Sequence, residues 1–527
     1  MMQPTTSHDV PSARGLVTPG TGVPVPRSHP AAEEPPRPAP AEVPAQRSAP
    51  TVPVPARGGA SAAIDALADP GTFEELGSQV RHRVTAFDMH RKRPAGDGVV
   101  TGTARILDRA VGLFAQDSQA LGGSLGEMHA NKIARIMRHA ERARIPVVGL
   151  LDSGGARIQE GVAALDGYGE TFRANVRMSG RVPQLSVVLG PCAGGAVYSP
   201  ALTDIVIMQR RGAHMFLTGP RVVKAVTHED VTPDELGGST VHSRASGVAH
   251  LIAEDAGHAA ELARQVLSYL PNSCWELPPA TAARPAGELA EVPTNHRRAY
   301  DVRGVISGVV DTDSFLELQP TFARNLVIGF ARVEGSPVGV VANQPQALAG
   351  TLDSLASEKG ARFVRLCDAF GLPLVTLVDT PGFLPGTKQE AGGVIRRGAK
   401  LLYAFAEASV PRVTVVLRKA FGGAYIVMNS KSLGADAVFS WPGAELAVMG
   451  AEGALDVIYR KELAADPASR PDLLARYHAE AALSAPAERL SVDEVIQPSR
   501  TRHVVAATLR SLASAVRPEF RHDNLPQ

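Results

Sequence analysis

Cysteine is scarce in this 527-residue chain, aromatic residues make up only 5%, and neither sign of charge prevails. Each shortage removes a class of function. The three cysteines, Cys192, Cys274 and Cys367, stand far apart with no C-x-x-C pair, which leaves neither a zinc ribbon nor a disulfide framework. No metal site is expected, and a reducing cytoplasm is the expected compartment. Fifty-four basic residues against fifty-three acidic ones give no global field to attract nucleic acid or an anionic membrane. Any anionic ligand must therefore be bound locally. No apolar run approaches the roughly 18 residues needed to span a bilayer, and the N-terminus lacks a basic region followed by an apolar core.

What the chain does have is length and punctuation. With 44% hydrophobic residues it can bury the cores of two substantial domains. Fourteen of the first fifty-five residues are proline, which forbids a sustained helix or a sheet ladder, so residues 1–60 are expected to form a disordered Pro/Ala-rich tail. That proline density also argues against a targeting peptide, which would need an amphipathic helix. A second break, LPPATAARPAGELAE from Leu277 to Glu291, interrupts two periodic regions. The expected division is a first domain over 61–280, a linker over 281–295 and a second domain over 296–515.

The two regions resemble each other at an almost constant offset of 227. Gly112 pairs with Gly339, Gln119-Ala120-Leu121 with Gln346-Ala347-Leu348, Lys132 with Lys359, Pro146 with Pro373 and Asp152 with Asp379. One insertion later, Gly194-Gly195 meets Gly422-Gly423. The halves are duplicated copies of one fold. Asn131 to Arg144 has helical apolar spacing, and the strand-like run Ile145 to Leu151 follows it. Leu185 to Leu189 reads as a second strand, breaking into GPCAGGA and a helix from about Val197. Leu374 to Val378, Val413 to Leu417 and AFGGAY repeat the order, predicting α/β layers with ligands at the strand carboxyl ends.

Two turns recur in both copies: a strand ending in Asp before a glycine turn, and a strand ending in Gly-Gly-Ala before a helix. One such pair alone reads as a tight strand-to-helix turn. Four in equivalent places point to ligand binding, because glycine lets main-chain N–H groups approach an oxygen. Two N–H groups converging on one oxygen form an oxyanion hole, suited to the enolate that develops when a thioester loses its α-proton. Neither turn fits the Walker pattern or G-x-S-x-G, and Cys192 has no activating His or Asn placed by the sequence.

The stretches LLDSGGARIQEGVAALDGYGE, GPCAGGAVYSPALTD and MFLTGPRVVKAVTHEDVTPDELGG, with DTPGFLPGTKQE and RKAFGGAYIVMNSK, resemble the β (carboxyltransferase) subunits of propionyl-CoA and acetyl-CoA carboxylases. The resemblance runs from about Ala63 to Ala513. It implies tandem crotonase-like (ClpP-type) α/β domains and a homo-hexamer, a trimer of dimers, with each site between the first domain of one subunit and the second domain of its mate. It implies a carboxyltransferase that moves CO2 from carboxybiotin onto the α-carbon of a short acyl-CoA.

The same resemblance implies roles for particular residues. Gly194 and Gly195 would face the thioester carbonyl, and Gly422 and Gly423 the ureido oxygen of biotin. Gly155 and Ala156, with Gly382 and Phe383, would supply the partner turn in each half. Ala196 and Tyr198, and Ala424, Tyr425 and Ile426, would line the substrates. Propionyl-selective relatives carry Asp where Ile426 stands, so an acyl range from acetyl to butyryl is expected. Met-Lys occurs nowhere and no ATP signature is present, so biotin must arrive on a biotin carboxylase/biotin carrier α subunit. His90-Arg91-Lys92-Arg93 and Arg157 are candidates for the CoA phosphates, the former also reading as a solvated run and the latter as a residue that holds its own turn. A transcarboxylase or decarboxylase subunit, or a noncatalytic scaffold, are the alternatives.

Overall fold

The computed structural model describes residues 59–482, 487–514 and 522–526. The expected tail lies outside them except for its last two residues, which open the helix Gly59–Leu67. Among the described residues no helix is long and apolar enough to cross a membrane.

Two eight-stranded sheets carry the fold. The first comprises β1 (Glu74–Glu75), β2 (Val99–Ile106), β3 (Arg109–Gln116), β4 (Val147–Ser153), β5 (Gln184–Ala193), β6 (Ile205–Gln209), β7 (His214–Phe216) and β8 (Leu251–Ala253). Its spatial order is β1-β2-β3-β4-β5-β6-β8, with β7 paired to β5 beyond β6. The second comprises β9 (Leu316–Leu318), β10 (Leu326–Val333), β11 (Ser336–Asn343), β12 (Leu374–Thr380), β13 (Arg412–Phe421), β14 (Ala437–Ser440), β15 (Glu445–Ala447) and β16 (Glu494–Val495). Its order mirrors the first, β9-β10-β11-β12-β13-β14-β16 with β15 on β13. In both sheets the first three strands are antiparallel and the others parallel. The duplication holds at the level of register, since Gly112 faces Val147 on β3/β4 as Gly339 faces Leu374 on β11/β12.

The helix Glu127–Ala143 buries Ile133, Ile136, Met137 and Ala140, one stripe at helical spacing, against the sheet. It ends where Arg144 turns left-handed (φ 56°), two residues before Pro146. Where the sequence suggested a turn from Gly190, the strand continues to Ala193, and β13 likewise runs on to Phe421. The extra residues are held because β7 and β15 pair with them.

The halves share one apolar core, in which Leu150 and Val187 of the first half belong to the same cluster as Phe330 and Leu366 of the second. Tyr269, at the end of helix Ala256–Tyr269, stacks on Phe330 at 5.6 Å and donates to the Ser314 carbonyl at 2.6 Å. A second tie is polar. The segment 522–526 crosses back, with Asn524 donating to Asp204 of the first half (2.8 Å) and His522 meeting Asp368 of the second (2.9 Å).

Candidate active site

Each half brings two turns together at the carboxyl ends of its central parallel strands. In the first, β4 leads to Gly155-Ala156-Arg157 and β5 to Gly194-Gly195. Ala156 bridges to Leu125, whose N–H donates to the Gly155 carbonyl (2.9 Å) and whose carbonyl accepts from Arg157 (2.9 Å). In the second half Phe383 bridges to Leu352, which bonds Gly382 (3.0 Å) and Leu384 (2.7 Å) in the same pattern. The structure therefore repeats the main-chain geometry of both turns, not merely their glycines.

Glycine is required at the opening of each second turn. Gly194 adopts φ 62° and Gly422 φ 60°, a region L-residues rarely enter. The Cα face of Gly194 is open, since a Cβ there would find nothing nearer than the Leu217 carbonyl at 3.9 Å, whereas a Cβ on Gly422 would stand 3.1 Å from the Val448 carbonyl. Gly155 lies against the neighbouring turn, for a Cβ there would sit 2.7 Å from the Ala193 carbonyl oxygen. Gly382, at φ 134°, faces open space.

The two turns differ in their side walls. Over Gly195 lies the Tyr168 ring, within 3.0 Å of where a Cβ would stand, whereas the ring nearest Gly423 is Phe383, at 3.8 Å. Tyr168 stacks on Phe172 (5.7 Å), which meets Tyr198 edge-on (5.9 Å), so an aromatic trio lines the first turn. Tyr168, within the LLDSGGARIQEGVAALDGYGE stretch, and Phe172, beyond it, are not singled out by the sequence; the helix Val162–Met178 brings them here. Ala196 and Ala424 point inward and are buried, while Tyr198 and Ile426 are exposed and Tyr425 is half-buried.

Arg157 points away from the open side. It is 2% exposed, and it donates to Asp97 Oδ1 (2.7 Å), Glu160 Oε1 (2.7 Å), and the Ser124 carbonyl (2.8 Å). Glu160 in turn accepts from the Glu127 N–H at 2.7 Å, supplying the cap that Gly126 cannot give to the helix Glu127–Ala143. These contacts fix the turn from below. Burial raises the Asp97 carboxyl above its usual range, although the Arg157 charge opposes it. The basic run His90 to Arg93 is exposed apart from its backbone ties, with the Lys92 carbonyl held by His82 Nε2 at 2.7 Å.

Cys192 is fully buried on β5, its thiol directed at the Ala196 carbonyl (3.2 Å), and burial pushes it up to about 12. A thiol so held stays protonated and braces the turn. Among the described residues no group of three or more His, Cys, Asp or Glu is placed to hold a metal.

Two such halves in one chain define a tandem crotonase-like α/β protein whose paired glycine turns sit at equivalent strand ends. Residues 57–525 match the carboxyl transferase domain, and the chain belongs to that family. It is 52% identical over 475 residues to the propionyl-CoA carboxylase carboxyltransferase subunit of Haloferax mediterranei, covering 88% of this chain and 92% of the relative. It is 50% identical to the methylmalonyl-CoA carboxyltransferase 12S subunit of Propionibacterium freudenreichii, covering 88% and 90%. The crystal structure of transcarboxylase 12S, a hexamer with methylmalonyl-coenzyme A bound, superposes with a TM-score of 0.85 at 48% identity over 89% of this chain and 92% of that one.

Proposed function

We propose that the chain is the carboxyltransferase subunit of a biotin-dependent acyl-CoA carboxylase, acting on short acyl-CoAs such as propionyl-CoA and acetyl-CoA. The observation that carries this is the pair of equivalent turns, one per half, each opened by a glycine near φ 60°. Residues 61–280 take the acyl-CoA, residues 296–515 take biotin, and 281–295 link them. The second-half turn fits a planar ureido group: Gly423 is exposed, and no atom lies within 4 Å of a Cβ on Gly382.

Biotin, when bound, supplies the activated CO2 and the base. This chain supplies main-chain donors and proximity. Gly194 and Gly195, with the Gly155-Ala156 turn, hold the thioester oxygen as charge develops on it. Gly422 and Gly423, with Gly382-Phe383, hold the ureido oxygen. No side-chain nucleophile is needed, in keeping with the buried, protonated Cys192.

The working form is a trimer of dimers in the cytoplasm, served by a separate α subunit that carries biotin carboxylase and biotin carrier. Exposed apolar side chains at equivalent places, Leu217 and Val226 in the first half and Val448 and Val457 in the second, support a dimer that sets first-half against second-half faces. To test the assignment, purified chain is given acyl-CoA, ATP and labelled bicarbonate. Label should enter a malonyl-type product only when the biotinylated partner is added, and product without it would overturn the reading. A transcarboxylase or decarboxylase role is the second reading, favoured by 48–50% identity to the 12S subunit and to the methylmalonyl-CoA decarboxylase α subunit of Veillonella parvula. Carboxyl transfer to a keto acid, or loss of CO2 without an acceptor, would select it.

A further inference from the structure

Asp152 and Asp379 are equivalent residues in equivalent irregularities, yet they are partnered in opposite ways. The pairing of β4 with β5 slips between Leu151↔Val188 and Ser153↔Cys192, and that of β12 with β13 slips between Val378↔Val416 and Thr380↔Ala420. One residue thus faces three: Asp152 lies opposite Leu189-Gly190-Pro191, and Asp379 opposite Leu417-Arg418-Lys419. Such bulges re-aim side chains and recur beside active sites. Both of these sit directly before the glycine turns.

In the second half Arg418 fills the bulge. Its Nε donates to Asp379 Oδ2 at 2.7 Å, and its Nη1 reaches the carbonyls of Pro293 (3.1 Å), Asn295 (3.2 Å) and Arg298 (2.9 Å). The guanidinium lies 4.6 Å over the Tyr300 ring, and Lys419 Nζ stands 3.9 Å from Asp379 Oδ1. Arg418 is 3% exposed and Asp379 is fully buried.

In the first half the residue equivalent to Arg418 is Gly190, and a Cβ there would stand 2.2 Å from Asp152 Oδ1. Among the described residues Asp152 has no cationic partner. It accepts from Ser118 Oγ at 2.5 Å and borders a cavity of about 360 Å³ lined also by Asp117, Gln119, Leu189 and Gln209. One copy of the fold is clamped at this point and the other is open.

We propose that Arg418, held against Asp379, is a positioning residue for the biotin-side turns of the second half. It joins the end of the strand that delivers Gly382-Phe383, the bulge that delivers Gly422-Gly423, and the segment 293–298 in which the linker ends. A planar, multiply bonded guanidinium can fix three main-chain segments at once, which a lysine ammonium does less well. The inference rests on the assignment of the second half to biotin, and it separates the two substrates. Loss of Arg418 disturbs the turns on one side only.

The test uses the full chain in the reverse direction, transferring carboxyl from a malonyl-type CoA to free biotin. For Arg418→Met the KM for free biotin should rise about tenfold while the KM for the CoA substrate stays within about twofold. Arg418→Lys should recover part of the loss, and Asp379→Asn should show the same one-sided change. These two milder variants decide the matter if Arg418→Met does not fold. Equal changes in both KM values, or a fall in kcat with neither KM moved, would overturn the proposal. Wild-type protein unable to carboxylate free biotin would instead count against the biotin assignment itself.

Discussion

Tyr198 and Ile426 occupy the same position in the two halves, each the fifth residue of a turn opened by Gly194 or Gly422, and both remain partly exposed, at 49% and 43%. One presents an aromatic face that already touches Phe172, the other a bare aliphatic branch. The turns agree over Gly-Gly-Ala and diverge from the fourth residue on, Val197-Tyr198 in one half against Tyr425-Ile426 in the other.

Ile426, exposed on the second-half turn where propionyl-selective relatives carry Asp, is the residue proposed to set acyl-chain choice from across the site that this half shares with the acyl-CoA side of a dimer mate. One methylene in an apolar pocket is worth about 1–3 kcal/mol, so the wild-type preference among acetyl-, propionyl- and butyryl-CoA should be modest. Ile426→Asp should narrow it toward propionyl-CoA. The kcat/KM ratios for the three substrates, measured with the biotinylated partner before and after substitution, check this; unchanged ratios remove Ile426 from the specificity argument.

Gly194→Val and Gly423→Val should both abolish transfer with the fold retained, and Gly423→Val is the sharper probe. Gly194 sits at φ 62°, so a side chain there adds backbone strain of about 1–2 kcal/mol. Gly423 carries no such constraint, and a Cβ there meets only the Phe383 ring, at 3.8 Å. Circular dichroism and the unfolding midpoint of Gly423→Val should stay near wild type while carboxyl transfer is lost. Persistent activity with an unchanged spectrum would show that this turn does not hold a ligand oxygen.

Arg157→Met should act on stability. Its partners Asp97 and Glu160 would be left buried without their cation, a change that costs about 3–5 kcal/mol. Urea unfolding measures it. A loss below about 1 kcal/mol, with a raised KM for acyl-CoA, would instead give Arg157 the phosphate-binding role that the sequence left open.

Lys132 and Lys359 are a duplicated pair of buried ammonium groups. Lys359 donates to the carbonyls of Gln319 (3.0 Å), Phe322 (2.8 Å) and Leu326 (2.7 Å), and Lys132 to those of Gly96 (3.0 Å) and Val99. Burial pushes them down from 10.5, Lys359 to about 7 and Lys132 to about 8. Between those values and 10.5 the unfolded chain holds more protons than the folded one, so stability rises with pH. The urea midpoint should increase between about pH 7 and about pH 9, at up to roughly 1.4 kcal/mol per pH unit for each lysine. Lys359→Met should flatten the rise, and a midpoint that falls over this interval would refute it.

Much of the scaffold was legible because the duplication left matched residues. The offset linking Gly112 to Gly339 and Asp152 to Asp379 is the offset of the strands themselves. Apolar runs marked β4, β5, β12 and β13, but not where β5 and β13 end, because β7 and β15 are three-residue strands without a hydrophobic run. The lining was less legible still. Tyr168 reaches Gly195 through the course of a helix, and Arg157 is closed in by Asp97, sixty residues earlier in the chain. Local pattern carries the period of an element; it does not carry which distant side chain will cover it.

Asn524 completes the first half from the far end of the sequence, bonding Ser179 and Asp204. Until residue 524 has emerged from the ribosome, the Asp204 carboxylate keeps the Gln184 N–H and the Arg362 charge but lacks the Asn524 amide, and Gly180 lacks the His522 main chain that lies against it. A segment made after both sheets thus contacts each half, Ser179 and Asp204 in one and Asp368 in the other, and joins the last residues synthesised to some of the first.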